Sequence, residues 1–351
     1  MTATIVAAAS AFPETVVGKD EVVASLRKVF GGRVRDLETY CAMVDHSGIE
    51  RRHLALPVEE LVRPRPFGQR NSDYARLSRG LAEEAAGACL TRAGVAASDV
   101  DLLITLSCTG FTIPAIDAHL INRMGFRRDV DRLPVTEMGC AAGAWSLGRA
   151  RERALAVGGG LTLVVSVELP GLTFQPGDVA PANLVSSVLF GDGAAAVLAD
   201  GRSGKRGFRV LDSRSVLFPE STGLMGFDLD EDGFHIVLDR KIPFVIAREA
   251  LPRMREFLAG HDLRPQDAGF WVVHPGGKRI LDAIAAALEL GPRELGPTLA
   301  VWSERGNLSS ATVLAVLEKL FENPPAAGSR GLAIAFGPGF CMEMVLLEWV
   351  E

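Results

Sequence analysis

Three residues of this sequence have both the type and the setting for acyl chemistry: Cys140, His274 and Asn307. Cys140 stands where the apolar residues 133–135 give way to Ala141-Ala-Gly-Ala-Trp-Ser-Leu-Gly-Arg-Ala150, a small-residue stretch suited to a helix. That setting places its sulfur at a helix N-terminus, where unpaired amides and the macrodipole favour the thiolate, the nucleophilic form. The same position also suits a buried cysteine packed among alanines. His274 follows four apolar residues and precedes Pro275-Gly-Gly277, so a titratable ring reaches the end of a buried strand where the backbone is open to a ligand. Asn307 follows Arg305-Gly306 and opens the helical stretch 308–321, where its side chain serves as an N-cap or as an amide donor to an oxyanion. As a set they suit one reaction. The cysteine takes an acyl group from a thioester and the histidine holds the thiolate. Histidine and asparagine then donate to the thioester carbonyl of malonyl-CoA as it loses carbon dioxide, and the enolate attacks the acyl-cysteine. That chemistry needs no metal and no redox cofactor.

The elements that position these residues are short apolar strands alternating with helical patterns. Residues 102–107, 161–167 and 270–274 read as strands, and 77–93 and 281–290 as helices. Such alternation implies α/β layers with buried central strands. The polar, glycine-rich, basic segment 200–207 is the best candidate for a boundary, which divides the chain into halves 1–203 and 204–351. The halves echo each other. Phe190-Gly-Asp-Gly-Ala-Ala-Ala-Val-Leu in the first parallels Phe336-Gly-Pro-Gly-Phe-Cys-Met-Glu-Met-Val-Leu in the second, each a glycine turn followed by an apolar strand. Upstream of each lies a glycine turn opening a small-residue helix, Met138-Gly-Cys-Ala-Ala-Gly143 and Arg305-Gly-Asn-Leu-Ser-Ser310. Two similar lobes meeting face to face would bring these turns together.

Composition narrows the class. With 351 residues, 48% of them hydrophobic and 23% charged, the chain is long enough for a large core and lies close to soluble globular averages. A net charge of −6 provides no basic field for nucleic acid. The apolar run at residues 5–12 is too short for a membrane span and has no basic residues before it, so a cytoplasmic location is expected. Five widely spaced cysteines without a C-x-x-C pair suggest neither a disulfide framework nor a zinc site.

At these residues the chain resembles the type III polyketide synthases, the chalcone synthase-like enzymes. The matching motifs are Gly139-Cys140-Ala141, Leu189-Phe-Gly-Asp-Gly-Ala-Ala-Ala196, His274-Pro-Gly-Gly277, Gly306-Asn307-Leu-Ser-Ser310 and Phe336-Gly-Pro-Gly339, in the family's order and over nearly the whole length. The resemblance implies a thiolase fold, five-layered αβαβα from two similar halves, in a homodimer acting on acyl-CoA and malonyl-CoA as free thioesters. It implies Cys140 as nucleophile, His274 and Asn307 as the decarboxylation and oxyanion pair, and Phe174 as a gatekeeper aromatic between CoA tunnel and cavity. It places Cys108, Phe227, Ile236 and Pro338 on the cavity wall, and Ile113 where a residue reaches across the dimer. Arg51, Arg52 and Gly276 fall where the family binds CoA.

Within the family, residues 225–243 look more like the alkylpyrone and alkylresorcinol synthases that start from fatty acyl-CoA. The Cys108-Thr-Gly-Phe stretch is also shared by the tetrahydroxynaphthalene synthases, which use malonyl-CoA only, although these tend to carry Tyr-Gln-Pro where this chain has Phe174-Gln-Pro. Outside the family, a single-condensation enzyme of the ketoacyl synthase III type shares the cysteine, histidine and asparagine. A thiolase-fold protein without catalysis is opposed by the presence of all three, and cysteine-dependent thioester hydrolysis fits best as a side reaction.

Overall fold

The structure, a computed structural model, describes residues 2–202, 204–274 and 276–351. Ser203, at the expected boundary, and Pro275, in the turn after His274, lie outside the described residues. The first part of the chain forms β1 (Thr4–Ala11), β2 (Thr15–Gly18), α1 (Lys19–Phe30), α2 (Leu37–His46), β3 (Arg51–Leu54), α3 (Val58–Leu61) and α4 (Phe67–Ala93). It continues with β4 (Leu102–Leu106), α5 (Ile116–Met124), β5 (Asp131–Val135), α6 (Ala142–Val157), β6 (Leu161–Glu168), α7 (Pro181–Leu189) and β7 (Gly193–Asp200). The second part forms β8 (Gly207–Leu217), β9 (Met225–Asp230), β10 (Gly233–Leu238), α8 (Ile242–Val245), α9 (Leu251–Ala259) and β11 (Phe270–Val273). After these come α10 (Lys278–Leu288), α11 (Pro292–Arg305), α12 (Ala311–Glu322), β12 (Arg330–Gly337) and β13 (Cys341–Val350).

Nine strands hydrogen-bond in the order β11-β12-β13-β8-β1-β7-β6-β4-β5. The join between β8 and β1 is only Thr4 opposite Arg209 and Ile5 opposite Phe208, so the sheet divides there into two. Strand alternation then dictates the layers, because successive side chains face opposite ways. Ile104 of β4 and Val164 of β6 point inward to a cluster with Leu147 of α6 and Val313, Leu314 and Leu317 of α12, which Val272, Ala335 and Val345 close from the other sheet. Leu103 and Leu163 point the other way, onto Ala82, Ala85, Ala86 and Cys89 of α4. On the far side, Trp271, Leu332, Ile334 and Met344 meet Met254 and Phe257 of α9 and Leu281 and Ile284 of α10. The order is helix, sheet, helix pair, sheet, helix, the five layers that the family resemblance implies. Each fully buried large aliphatic or aromatic side chain contributes about 1.5–3 kcal/mol to it.

The central layer explains why residues 141–150 are small. A Cβ on Gly143 would fall inside van der Waals contact of the Ser310 carbonyl oxygen, and one on Gly148 would lie 2.7 Å from Ser213 Oγ. The helix that carries Cys140 therefore lies against the turn that carries Asn307. The glycine turns interlock reciprocally as well. Gly191 of the first Phe-Gly-x-Gly packs against the Arg305 carbonyl, and Gly337 of the second packs against Met138 and Ala141.

Candidate active site

Cys140 lies in a 3-10 turn, Gly139–Ala141, that leads into α6, so its thiol is at the amino end of that helix. Gly139 has φ +53°, and a Cβ there would come within 2.6 Å of the Pro338 ring, so glycine is required for the turn to seat. The Cys140 Sγ lies 3.2 Å from the Ser309 hydroxyl. Burial pushes the thiol up to about 12, while the hydrogen bond with Ser309 pulls it down by less. Burial thus favours the thiol, against the thiolate that the sequence suggested.

Asn307 follows α11 and is buried, and it is locked to the opposite half through its backbone. Its N–H donates to the Leu189 carbonyl at 2.8 Å, and its carbonyl accepts from Gly191 N–H at 3.0 Å. Its Oδ1 accepts from the Ser309 N–H at 2.8 Å, which leaves the Nδ2 amide as the donor for a ligand. The side chain closes a local turn rather than capping the helix as expected, since α12 begins only at Ala311 with Ser310 before it, and the same bond orients the amide.

Glu168, at the end of β6 and fully buried, is a residue the sequence reading did not single out. Its Oε2 accepts from Cys108 N–H at 3.0 Å and Thr109 Oγ1 at 2.9 Å, and its Oε1 accepts from the Ser310 hydroxyl. Ser309 Oγ and Cys108 Sγ are 3.4 and 3.5 Å from Oε1. Burial raises this carboxyl above its ordinary range, and the donors draw it part of the way back. Burial, and then Glu168 itself, hold the Cys108 thiol well above its usual range, so Cys108 is protonated at neutral pH. A carboxylate closing an apolar strand was the sequence signal for Glu168, the same signal that picked out His274.

His274 directly follows β11, with its N–H bonded to the Ile334 carbonyl at 2.8 Å. Its Nδ1 is enclosed with no hydrogen-bond partner among the described residues. Burial pushes the imidazole down to about 4, so the ring is neutral across physiological pH and carries one N–H to donate.

Cys140, His274 and Asn307 open onto one cavity of about 400 Å³, with Cys108, Ser309, Gly276 and Pro338 on its wall. Its roof is the hairpin β9–β10, which supplies Phe227, Phe234 and Ile236. A smaller apolar pocket of about 90 Å³ lies beside it, lined by Val22, Leu26 and Phe30 of α1 and by Phe174. The two share Pro170, Phe190, Phe227 and Ile236 as walls. Phe174, expected between tunnel and cavity, therefore sits in the side pocket, edge-on to Phe30 at 6.0 Å. Phe190, on the wall common to both spaces, and Phe234 were missed.

The arginine pair divides. Arg51 is exposed, but Arg52 is 2% exposed and faces inward, where Nη1 donates to the Ser187 carbonyl at 3.0 Å. That corrects its expected place beside CoA phosphates, because a guanidinium spent on buried backbone oxygens does not reach a phosphate in solvent. Ile113 is 98% exposed. Among the described residues no cluster of His, Cys, Asp and Glu could hold a metal, and no helix is long and apolar enough to cross a membrane.

Residues 1–202 match the family model of chalcone and stilbene synthases, N-terminal domain, and residues 210–351 the corresponding C-terminal domain. The chain is 44% identical over 308 residues to 1,3,6,8-tetrahydroxynaphthalene synthase of Streptomyces peucetius subsp. caesius, covering 86% of this chain and 81% of that one. It is 32% identical to phloroglucinol synthase of Pseudomonas fluorescens over 340 residues, 96% and 97% of the two chains. The crystal structure of 1,3,6,8-tetrahydroxynaphthalene synthase from Streptomyces coelicolor, a bacterial type III polyketide synthase, superposes with a TM-score of 0.95 at 33% identity, covering 99% of each chain.

Proposed function

The chain belongs to the chalcone and stilbene synthases, thiolase-fold type III polyketide synthases that are decarboxylative acyltransferases, and we propose that it builds an aromatic polyketide of the tetrahydroxynaphthalene kind from malonyl-CoA alone. The observation that carries the catalytic part is the convergence of Cys140, His274 and Asn307 on one cavity. The Cys140 sulfur attacks the thioester carbonyl, and CoA leaves as its thiol. Malonyl-CoA then places its carbonyl against the His274 N–H and the Asn307 Nδ2. As its carboxylate departs as carbon dioxide, the negative charge moves onto that carbonyl oxygen, where two fixed donors in a water-poor site stabilise it. The enolate carbon attacks the acyl carbonyl and Cys140 leaves as thiolate; that thiolate then attacks the thioester of the extended chain, CoA departs and takes up a proton, and the chain is back on Cys140 for the next extension. No metal or redox group enters these steps.

The malonyl-only reading is supported by relatives bearing that product's name and by the polar floor of the cavity. Ser309, in contact with the Cys140 sulfur, and Cys108 beside it line that floor, where a chain with a ketone on every second carbon needs hydrogen-bonding partners. A second reading, the fatty acyl starter that the sequence favoured, is supported by the apolar side pocket behind Phe190. Product analysis by mass spectrometry separates them. Malonyl-CoA alone should yield a tetrahydroxynaphthalene, whereas pyrones or resorcinols appearing only with long acyl-CoA starters would establish the second reading. Single-extension products alone would move the enzyme to the ketoacyl synthase III type.

Our proposal also includes halves 1–203 and 204–351, which the separate matches to the two family models support. It includes a homodimer, supported by the exposed Ile113 and by β5 at the sheet edge with one side unpaired. Dependence on CoA thioesters, which are intracellular metabolites, supports a cytoplasmic location. Gly276 on the cavity wall and the exposed Arg51 remain the candidates for contact with CoA.

A further inference from the structure

The hairpin β9–β10 is a two-stranded sheet of its own, outside the nine-stranded sheet, yet it supplies a third of the described residues that line the cavity. A two-stranded ribbon is marginally stable alone. The height of this roof above Cys140 therefore depends on what holds it from outside.

Two side chains do so at its turn. Arg70 of α4 donates through Nη2 to the Asp232 carbonyl in the turn, and through Nη1 to Gln175 Oε1 at 2.9 Å and the Phe174 carbonyl at 3.0 Å. Gln175 donates through Nε2 to the Asp232 carbonyl at 3.1 Å and the Phe234 carbonyl at 3.2 Å. The turn is also pressed close: a Cβ on Gly233 would lie 2.9 Å from the Phe67 ring and 3.4 Å from Arg70 Nη2. From there Phe234 reaches into a cluster with Phe67, Phe111 and Phe227, at centroid distances of 5.7, 5.4 and 5.3 Å. Arg70 is 6% exposed, and among the described residues none of its hydrogen-bond acceptors is a carboxylate. Burying a guanidinium against carbonyls alone is costly. What it provides is a planar fork that bridges α4, the loop after β6 and the hairpin with charge-assisted bonds.

We propose that Arg70 and Gln175 are positioning residues that fix the hairpin roof above Cys140 and so determine the chain length at which extension stops and cyclisation begins. This rests on the polyketide synthase reading. Neither residue lines the catalytic cavity, so both act through Phe227, Phe234 and Ile236. With the clamp in place the roof leaves one volume for the growing chain. Without it the roof samples several heights, and chains of several lengths cyclise.

The test uses the full-length enzyme and its Arg70→Met, Arg70→Lys and Gln175→Leu variants. Three readouts are compared: acylation of Cys140 by intact mass, product lengths at saturating malonyl-CoA by chromatography and mass spectrometry, and hydrogen exchange of peptides spanning 225–238. Arg70→Met and Gln175→Leu should load Cys140 at the wild-type rate while exchange in the hairpin quickens about tenfold, as loss of a charge-assisted bond implies. The single main product should give way to a mixture of shorter and longer ones, with Arg70→Lys restoring part of the wild-type distribution. An unchanged product distribution in both variants overturns the proposal, as does a loss of Cys140 loading in folded variants that matches the loss of product. Should Arg70→Met fail to fold, Gln175→Leu, which retains the guanidinium, decides the matter on product length alone. Absence of acyl-enzyme and product in the wild type would instead remove the polyketide synthase reading itself.

Discussion

Asn307→Asp isolates the donor role of Asn307 from its structural one. In the native site Oδ1 accepts the Ser309 N–H at 2.8 Å while Nδ2 faces the ligand. Aspartate keeps the acceptor, so the Ser309 turn and the adjoining Cys140–Ser309 contact survive. It replaces the donor with an oxygen, which in addition repels the malonyl carboxylate. Loss of one fixed oxyanion donor costs about 10²–10³ in rate, or about 2.7–4 kcal/mol. Asn307→Ala should lose as much activity and also leave the buried Ser309 N–H unpaired, lowering stability by about 1–3 kcal/mol. Acetyl-CoA formation from malonyl-CoA, followed by chromatography, measures decarboxylation, and intact mass measures the loading of Cys140 by an acyl-CoA. Decarboxylation should collapse in both variants while loading persists, with thermal unfolding lowered in both, by the unpaired Ser309 N–H in the alanine variant and by the buried carboxyl in the aspartate variant. Decarboxylation by Asn307→Asp at the wild-type rate would refute the assignment of Nδ2, and equal loss of loading would refute the separation of roles.

Further outcomes follow from the same geometry. Because burial lowers His274 to about 4, the ring stays neutral as pH falls from 8 to 5, and the decarboxylation rate should show its acid limb below about pH 5; an inflection near the ordinary histidine value would contradict this. The same depressed value means that unfolded chains take up the proton first, so His274 favours unfolding progressively as pH drops from the ordinary histidine range towards 4, which stability curves of wild type and His274→Gln will reveal. Gly143→Ala forces a methyl into the Ser310 carbonyl and should cost about 1–3 kcal/mol in denaturant unfolding. Leu26→Phe fills the side pocket; if that pocket takes an acyl tail, the longest accepted starter should shorten while the product from malonyl-CoA alone is unchanged.

The three residues that meet at the cavity were legible because each member is announced locally. Cys140 precedes a run of small residues, His274 follows an apolar strand, and Asn307 stands after a glycine shortly before a helix. The alternation of strands and helices was legible for a similar reason, since both are short-range patterns, whereas their stacking into five layers came only with the family resemblance. What the sequence could not convey was direction. Arg51 and Arg52 are neighbours on a strand, so they point opposite ways, and only the fold decides that Arg52 is the one turned inward. Phe174 and Phe190 both follow apolar stretches, and which of them separates the two spaces depends on where α1 and α7 pack. The echoing glycine turns were expected to meet. They do so crosswise, each Phe-Gly-x-Gly turn seated against the catalytic turn of the other half, a pairing that no single segment encodes. The clamp of Arg70 and Gln175 joins residues 105 positions apart and has no local signature.

Cys140 as the acyl carrier is tested most directly by quenching the enzyme during turnover with isotope-labelled malonyl-CoA and mapping the adduct by peptide mass spectrometry. A labelled acyl group on the peptide containing Cys140, absent from Cys140→Ala together with all product, is the expected result. An adduct on Cys108 with none on Cys140, or undiminished product from Cys140→Ala, would contradict it.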